Sequence, residues 1–324
     1  MLVTGGFGVI GSFVTLGLLE KGLRPVVFSR RLDSTLVGDD ILDRVDYIKG
    51  DVLDLPLLIN TIKRFKVRKI IHMSALIIPE AQQNPYMGFK INCEGTINIL
   101  EAARLGDSVG RTVVISSRSV YGPITDKCGH PTYVPMREDH PKNPILMYDC
   151  TKLMCEHLCL NYYQNYGMDI AILRFSATHG PGKLQRHGPA AVHSRLVEGA
   201  LAGRPVVIPQ GGDQIDDMCY HGDLAKGVLE ATLAEKLKYR DYNLGSGMGR
   251  TMKEFVRTLK RLMPESKVDI GPGLDYMGFG QPKYCVYDLA RAKEDFNYSP
   301  EFSFEEGIMD YIRIIRDRKI SISI

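Results

Sequence analysis

Several features are missing from this 324-residue chain, and each omission narrows what it can be. No apolar run reaches the roughly 18 residues a membrane-crossing helix needs, so a spanning segment is not expected. There is no basic tail and no block of like charge, and the formal net charge is only +3. Nucleic acid and acidic membrane surfaces are therefore not the expected partners. The opening MLVTGGFGVIG lacks a basic region and reaches glycines at once, so it does not read as a signal peptide. The seven cysteines are scattered and include no C-x-x-C. That suits a reducing cytoplasm better than a disulfide framework. Cys155 and Cys159 stand four apart on one helix face, with no histidine at metal-ligand spacing. They read as small buried hydrophobes, and no metal is expected. Internal repeats and low-complexity segments are also lacking.

What is present is an alternation. Short apolar strands at Leu2–Thr4, Pro25–Ser29, Val45–Lys49, Lys69–Met73, Thr112–Ser116 and Asp169–Arg174 are separated by helical patterns. The longest of these patterns are Phe89–Leu105 and Asp149–Tyr166. This rhythm predicts an α/β fold, a doubly wound parallel sheet of Rossmann type. Strands such as KIIHM and TVVIS are nearly all apolar, as strands covered on both faces should be. After Arg174 glycine and proline become dense, at His179–Gly182, Gly188–Pro189 and Pro205–Gly212, and the rhythm turns irregular. We expect residues 1–175 to bind a dinucleotide, rejoined by about 222–245 through a helix (Asp223–Leu237) and a strand (Tyr242–Leu244). Residues 176–324 would then form mainly a smaller substrate lobe. The first strand is short: either it is truncated or native residues lie upstream.

Gly5, Gly8 and Gly11 follow the first strand and open a helix. Glycine there permits a tight turn and close approach of the backbone to a pyrophosphate, and the helix N-terminus offers unpaired N–H groups. Phe7, Val9 and Ile10 belong to the same turn. Past the second strand, an acidic residue would bind the adenosine ribose hydroxyls and select NAD. The chain has Ser29-Arg30-Arg31 instead, a set able to hold a 2′-phosphate, so NADP is favoured over NAD. Asp51 and Val52, after the third strand, are placed to touch the adenine.

Tyr148 and Lys152 are four apart at the start of a helix, so their side chains share a face. A nearby ammonium favours the phenolate and lowers the tyrosine pKa, which fits Tyr148 to exchange a proton with a substrate hydroxyl. Ser117 lies just past the fifth strand, at the carboxyl edge where such sheets bind ligands, and can hydrogen-bond the same oxygen. His72 reads as structural, and Ser74 as a contact on the nicotinamide side.

With these residues in hand, the chain resembles the extended short-chain dehydrogenase/reductase superfamily, in its NAD-dependent epimerase/dehydratase family. The likeness rests on Thr4–Gly11, Gly50–Val52, His72–Ala75, Asn92–Thr96, Ser116–Gly122, Tyr148–Lys152, Leu173–Arg174, Gly180–Gly182 and Ser299–Phe302, and so spans essentially the whole chain. It implies Tyr148 as general acid/base, Lys152 on the nicotinamide ribose, Ser117 polarising the reacting carbonyl, and substrate between two lobes. Ser74, Ala75 and Asn92 join the expected cofactor contacts. It also implies a homodimer in which the two long helices pair across a two-fold axis. Leu153, Met154, His157, Leu158 and Tyr162 spread beyond a single stripe, in keeping with that.

Two positions depart from the pattern. Ala177 stands where an asparagine is expected, and Asp216 where an arginine grips a diphosphate. An anion beside a diphosphate repels it, by about 4 kcal/mol at ~4 Å in an effective dielectric near 20. The sequence therefore favours hydride transfer at a secondary alcohol or ketone of a sugar or sugar acid. The alternative is a nucleotide-sugar epimerase or dehydratase, such as a UDP-sugar 4-epimerase with tightly bound NAD. Arg118, Arg186, His187, His193 and His179 are the groups available for substrate.

Overall fold

A computed structural model of the chain describes residues 1–188 and 191–322. Pro189, counted above among the prolines of the second half, lies outside the described residues. Twelve strands are formed among the described residues: β1 (Leu2–Thr4), β2 (Val26–Ser29), β3 (Asp46–Lys49), β4 (Lys69–His72), β5 (Arg111–Ser117), β6 (Ile170–Phe175), β7 (Ala177–His179), β8 (Val206–Ile208), β9 (Ile215–Tyr220), β10 (Asp241–Leu244), β11 (Gly249–Thr251) and β12 (Val268–Ile270). Seven of them make one sheet in the order β10-β6-β5-β4-β1-β2-β3, every neighbouring pair parallel. The doubly wound fold expected from the alternation is thus what the chain forms.

The alternation of side chains along each strand explains the layers. Leu2 and Ile70 point to one face, where Leu58 and Ile62 of helix Leu55–Arg64 and Ile99 and Ala102 of helix Gly95–Leu105 cover them. Val3 and Ile71 point to the other, beneath Val14 and Leu18 of helix Gly11–Glu20 and Leu224 and Val228 of helix His221–Leu233. Both faces are dry, which is why these strands carry almost no polar residues.

Two helices differ from expectation for identifiable reasons. The stretch Phe89–Leu105 is not one helix: a π turn at Lys90–Glu94 interrupts it. The Asn92 side chain there leaves the helix to accept from Leu76 N (2.7 Å) and donate to Leu76 O (2.9 Å) and Thr151 Oγ1 (2.9 Å). The helix that begins at His221 ends at Leu233, short of Leu237. Arg111 reaches across from β5 and donates to Ala231 O (3.0 Å) and Ala234 O (2.6 Å), satisfying carbonyls at the helix end.

β9 pairs in parallel with β7 and antiparallel with β11, and β8 pairs with β12. These short sheets share a core of Leu196, Val197, Phe255, Leu259, Ile308 and Tyr311 with the helices Val192–Leu201, Met252–Leu262 and Phe304–Asp317. No helix among the described residues is long and apolar enough to cross a membrane. All seven cysteines are free thiols, and Cys155 and Cys159 are buried.

Candidate functional site

The parallel order reverses between β1 and β4, and an open α/β sheet has its crevice at such a switch, beyond the carboxyl ends of the strands. A cavity of about 860 Å³ lies there. Its wall carries the glycine turn after β1, the Ser29–Arg31 segment that begins at the last residue of β2, Asp51 and Val52 after β3, Ser74 and Ala75 after β4, and Ser117 at the end of β5.

The glycine turn is shaped by contact, not only by flexibility. A Cβ on Gly8 would stand 2.8 Å from Gly5 O, and one on Gly11 only 2.1 Å from it. Gly5 itself has φ +68°, with Ser74 behind it. The helix that follows has no side-chain cap and no acid in its first turn, so its N-terminal N–H groups and partial positive charge remain for an anion. Phe7, Val9 and Ile10 line the same wall. The cradle fits a dinucleotide pyrophosphate.

At the other end of the wall, Ser117, Tyr148 and Lys152 come together. Ser117 Oγ accepts from Ser119 N (3.2 Å), capping the turn Arg118–Tyr121, and lines the cavity with Tyr148. Lys152 is buried and its ammonium donates to Ile115 O (2.8 Å), 5.9 Å from the Tyr148 ring centre. The expected lowering of the tyrosine pKa is not what this arrangement gives. Burial pushes the Tyr148 phenol above its ordinary value, only partly offset by the nearby Ser117 hydroxyl. Lys152 spends its charge on a strand carbonyl, and burial lowers its own pKa.

Several expected contacts fall elsewhere. Asn92 does not border the cavity; it holds the Leu76 backbone that does. Arg186 does border it, but at the cofactor end, donating to Phe7 O (2.6 Å) and pairing with Asp33 (2.5 Å). His179 is core, packed among Tyr220, Phe255 and Phe304. Arg118, Ala177, His187 and His193 all line the cavity. His72 is structural: it bonds Thr4 Oγ1 (2.8 Å) and Thr96 Oγ1 (3.2 Å), and burial and Lys152 hold it neutral with a pKa of about 3.

Asp216 requires the largest correction. It is neither a loop residue nor part of the cavity wall. It sits in β9 with no solvent exposure, paired with Arg118 and accepting from Tyr276 Oη (2.7 Å) and Asp217 N (3.0 Å). Burial alone would lower the Arg118 pKa; Asp216 outweighs this and holds the guanidinium firmly charged. The acid thus faces a cation, and the repulsion argued from its sequence position does not arise. Reading the sequence also missed Lys183, Tyr276 and Lys283, which line the same half of the cavity. Lys183 donates to Thr178 O (2.5 Å) and Thr178 Oγ1 (2.9 Å), and Lys283 pairs with buried Asp149. No spacing marks Tyr276 or Lys283, because their partners, Asp216 and Asp149, come from distant segments, and the Thr178–Lys183 spacing matches no motif.

A doubly wound sheet with a glycine turn at its switch point and one long cleft beyond its strand ends defines the dinucleotide-dependent enzymes. Comparison with known proteins narrows the class. The chain belongs to the NAD dependent epimerase/dehydratase family, whose model matches residues 1–245. A Methanocaldococcus jannaschii protein provisionally named UDP-glucose 4-epimerase is 30% identical over 316 residues, 95% of each chain. UDP-glucuronate 4-epimerase 1 of Arabidopsis thaliana is 27% identical, covering 97% of this chain and 76% of that protein. Among solved structures, the Bacillus cereus UDP-glucuronic acid 4-epimerase with UDP-glucuronic acid and NAD has a TM-score of 0.80 at 25% identity, covering 98% of both chains. The protein is accordingly an enzyme of the extended short-chain dehydrogenase/reductase type.

Proposed function

We propose that the protein inverts the C4 configuration of a nucleotide sugar, with NAD held in its cleft throughout. The observation that carries this reading is the gathering of Ser117, Tyr148 and Lys152 on one wall of the cavity whose far end is the glycine cradle. The similarity of whole chains to UDP-sugar epimerases supports the substrate class. Bound NAD supplies hydride exchange at its nicotinamide. The remaining acts fall to the chain. Tyr148 Oη takes the proton of the substrate hydroxyl and later returns it, and the Ser117 hydroxyl donates to the same oxygen. Lys152, one helical turn on, is the chain's own cation for stabilising the phenolate and has further N–H groups for the ribose. On this reading residues 1–175 with 222–245 bind the cofactor, and the rest of 176–324 mainly closes over the sugar.

The test is to incubate purified protein, without added cofactor, with UDP-glucose, UDP-glucuronate and UDP-N-acetylglucosamine, and follow the sugar protons by NMR. Inversion at C4 of one of them is expected. No inversion, together with no co-purifying NAD, sinks the reading.

One observation favours net oxidation or reduction with free NADP. Ser29, Arg30 and Arg31 border the cavity, both arginines are exposed, and neither is in an ion pair among the described residues, while Asp33 is taken by Arg186. Titration with both cofactors decides it: a preference for NADP that disappears in Arg30→Ala/Arg31→Ala establishes that reading. An equal or tighter affinity for NAD removes it.

We also infer a homodimer. Met154, Tyr163 and Tyr166 on helix Met147–Tyr166, and Tyr86, Phe89 and Leu105 on or beside the helix it packs against, expose 38 to 69% of their surface. Light scattering that gives the monomer mass would refute this. A reducing compartment, the cytoplasm, suits the seven free thiols.

A further inference from the structure

The cavity is electrostatically lopsided. Its acidic lining residues are Asp33, Asp51 and Glu80; Asp33 is tied to Arg186 at the cofactor end, and Asp51 accepts from Leu53 N in its own turn. The wall beyond Ser117 instead presents Arg118, Lys183 and Lys283. Lys283 is neutralised by Asp149. Arg118 and Lys183 line the same wall and repel each other, and the acid paired with Arg118, Asp216, does not line the cavity.

Asp216 is satisfied entirely by protein: Arg118, the Tyr276 hydroxyl and the Asp217 amide. Its effect is to fix the guanidinium, which also lies 5.6 Å above the Tyr284 ring. A guanidinium has five N–H donors. Asp216 is the only hydrogen-bond acceptor Arg118 has among the described residues, so the remaining donors are left for the cavity. Lys183 is anchored through Thr178 and contributes the second cation. Burial, then the neighbouring Arg118, bring its pKa down to about 7.

We propose that Arg118 and Lys183 form an oxyanion site for the substrate, with Asp216 and Tyr276 as positioning residues. The cation that the family pattern places on the strand is here delivered from the turn after β5, and the strand carries its counter-ion. The site rests on the reading of the cavity as one for a nucleotide sugar. Two sources supply an oxyanion there: the diphosphate, or a carboxylate on the sugar.

Isothermal titration of NAD-loaded protein with UDP, UDP-glucose, UDP-glucuronate and uridine separates them. Arg118→Gln and Lys183→Met should each weaken anion binding at least tenfold and leave uridine unchanged. Equal losses for UDP, UDP-glucose and UDP-glucuronate identify the diphosphate as the occupant. A loss confined to UDP-glucuronate identifies the carboxylate. Asp216→Asn should reproduce the Arg118→Gln pattern although it never touches ligand; a merely structural role would weaken uridine as well. Affinities within twofold of wild type for all three anions, in Arg118→Gln or, should that variant not fold, in Lys183→Met, overturn the proposal. If the anion losses appear but no sugar is inverted at C4, the site stands and the reading of the reaction falls.

Discussion

Replacing Tyr148 by phenylalanine removes one oxygen from the cavity wall and little else. The ring keeps its packing, and what the phenol loses is its proximity to the Ser117 hydroxyl. A single neutral hydrogen bond contributes about 1 kcal/mol net to stability, so the unfolding midpoint should barely move. The glycine cradle is at the far end of the cleft, so the NAD content of the purified protein should be unchanged. Turnover is another matter. A positioned acid/base contributes about 10²- to 10⁴-fold, which at about 1.36 kcal/mol per decade is roughly 3–5 kcal/mol of barrier. We therefore expect kcat for C4 inversion to fall at least a hundredfold with stability and cofactor retained. The three measurements belong together: NMR-detected inversion, thermal unfolding, and absorbance of released cofactor. Turnover within threefold of wild type, in protein that still carries NAD, would refute the proton-transfer role and every mechanism built on it.

Gly11→Ala should lower cofactor occupancy sharply, because its Cβ would meet Gly5 O at 2.1 Å and the turn must open; full occupancy in purified variant protein would count against the cradle. Glu156→Gln should destabilise the fold by about 1.5–3 kcal/mol in urea unfolding, since Arg174 keeps its pair with Asp241 at 2.8 Å. It removes the charge that pairs, buried, with Arg174 at 2.7 and 2.8 Å and accepts from Ser116 at 2.6 Å; a loss under 1 kcal/mol would contradict this. Burial holds His72, His179 and His187 near a pKa of about 3, with Lys152 (His72) or Lys183 (His179, His187) adding to the shift. The unfolded chain binds those protons below about 6.5 and the folded one does not, so their contribution to stability is full above that pH. It declines as pH falls toward 3, by about 1.4 kcal/mol per unit for each group. Ring-proton NMR showing these three histidines titrating between pH 7.5 and 5.5 would contradict it.

The parallel sheet and the cofactor end were legible because their signals are local. Glycines within seven residues make the turn, and alternation within four residues makes a strand with two dry faces. Tyr148 and Lys152 were legible for the same reason, being one helical turn apart. The substrate end was not. Arg118 and Asp216 are 98 positions apart, and nothing in either neighbourhood announces the other. Seen alone, Asp216 looks like a charge reversal that repels a diphosphate; seen with Arg118, it is a counter-ion. The tyrosine pKa failed for a related reason. Spacing placed an ammonium nearby, but burial and the Ile115 carbonyl, neither visible in the spacing, dominate the balance. The break at Lys90–Glu94 likewise depends on a partner, Leu76, outside the helix.

Arg186 spans the cleft between the glycine turn and Asp33, clasping Phe7 O on one side and a carboxylate on the other. The clasp joins three segments far apart in the chain, the glycine turn, the stretch after β2 and the helix Lys183–His187, so whatever occupies the cradle bears on all three through one side chain.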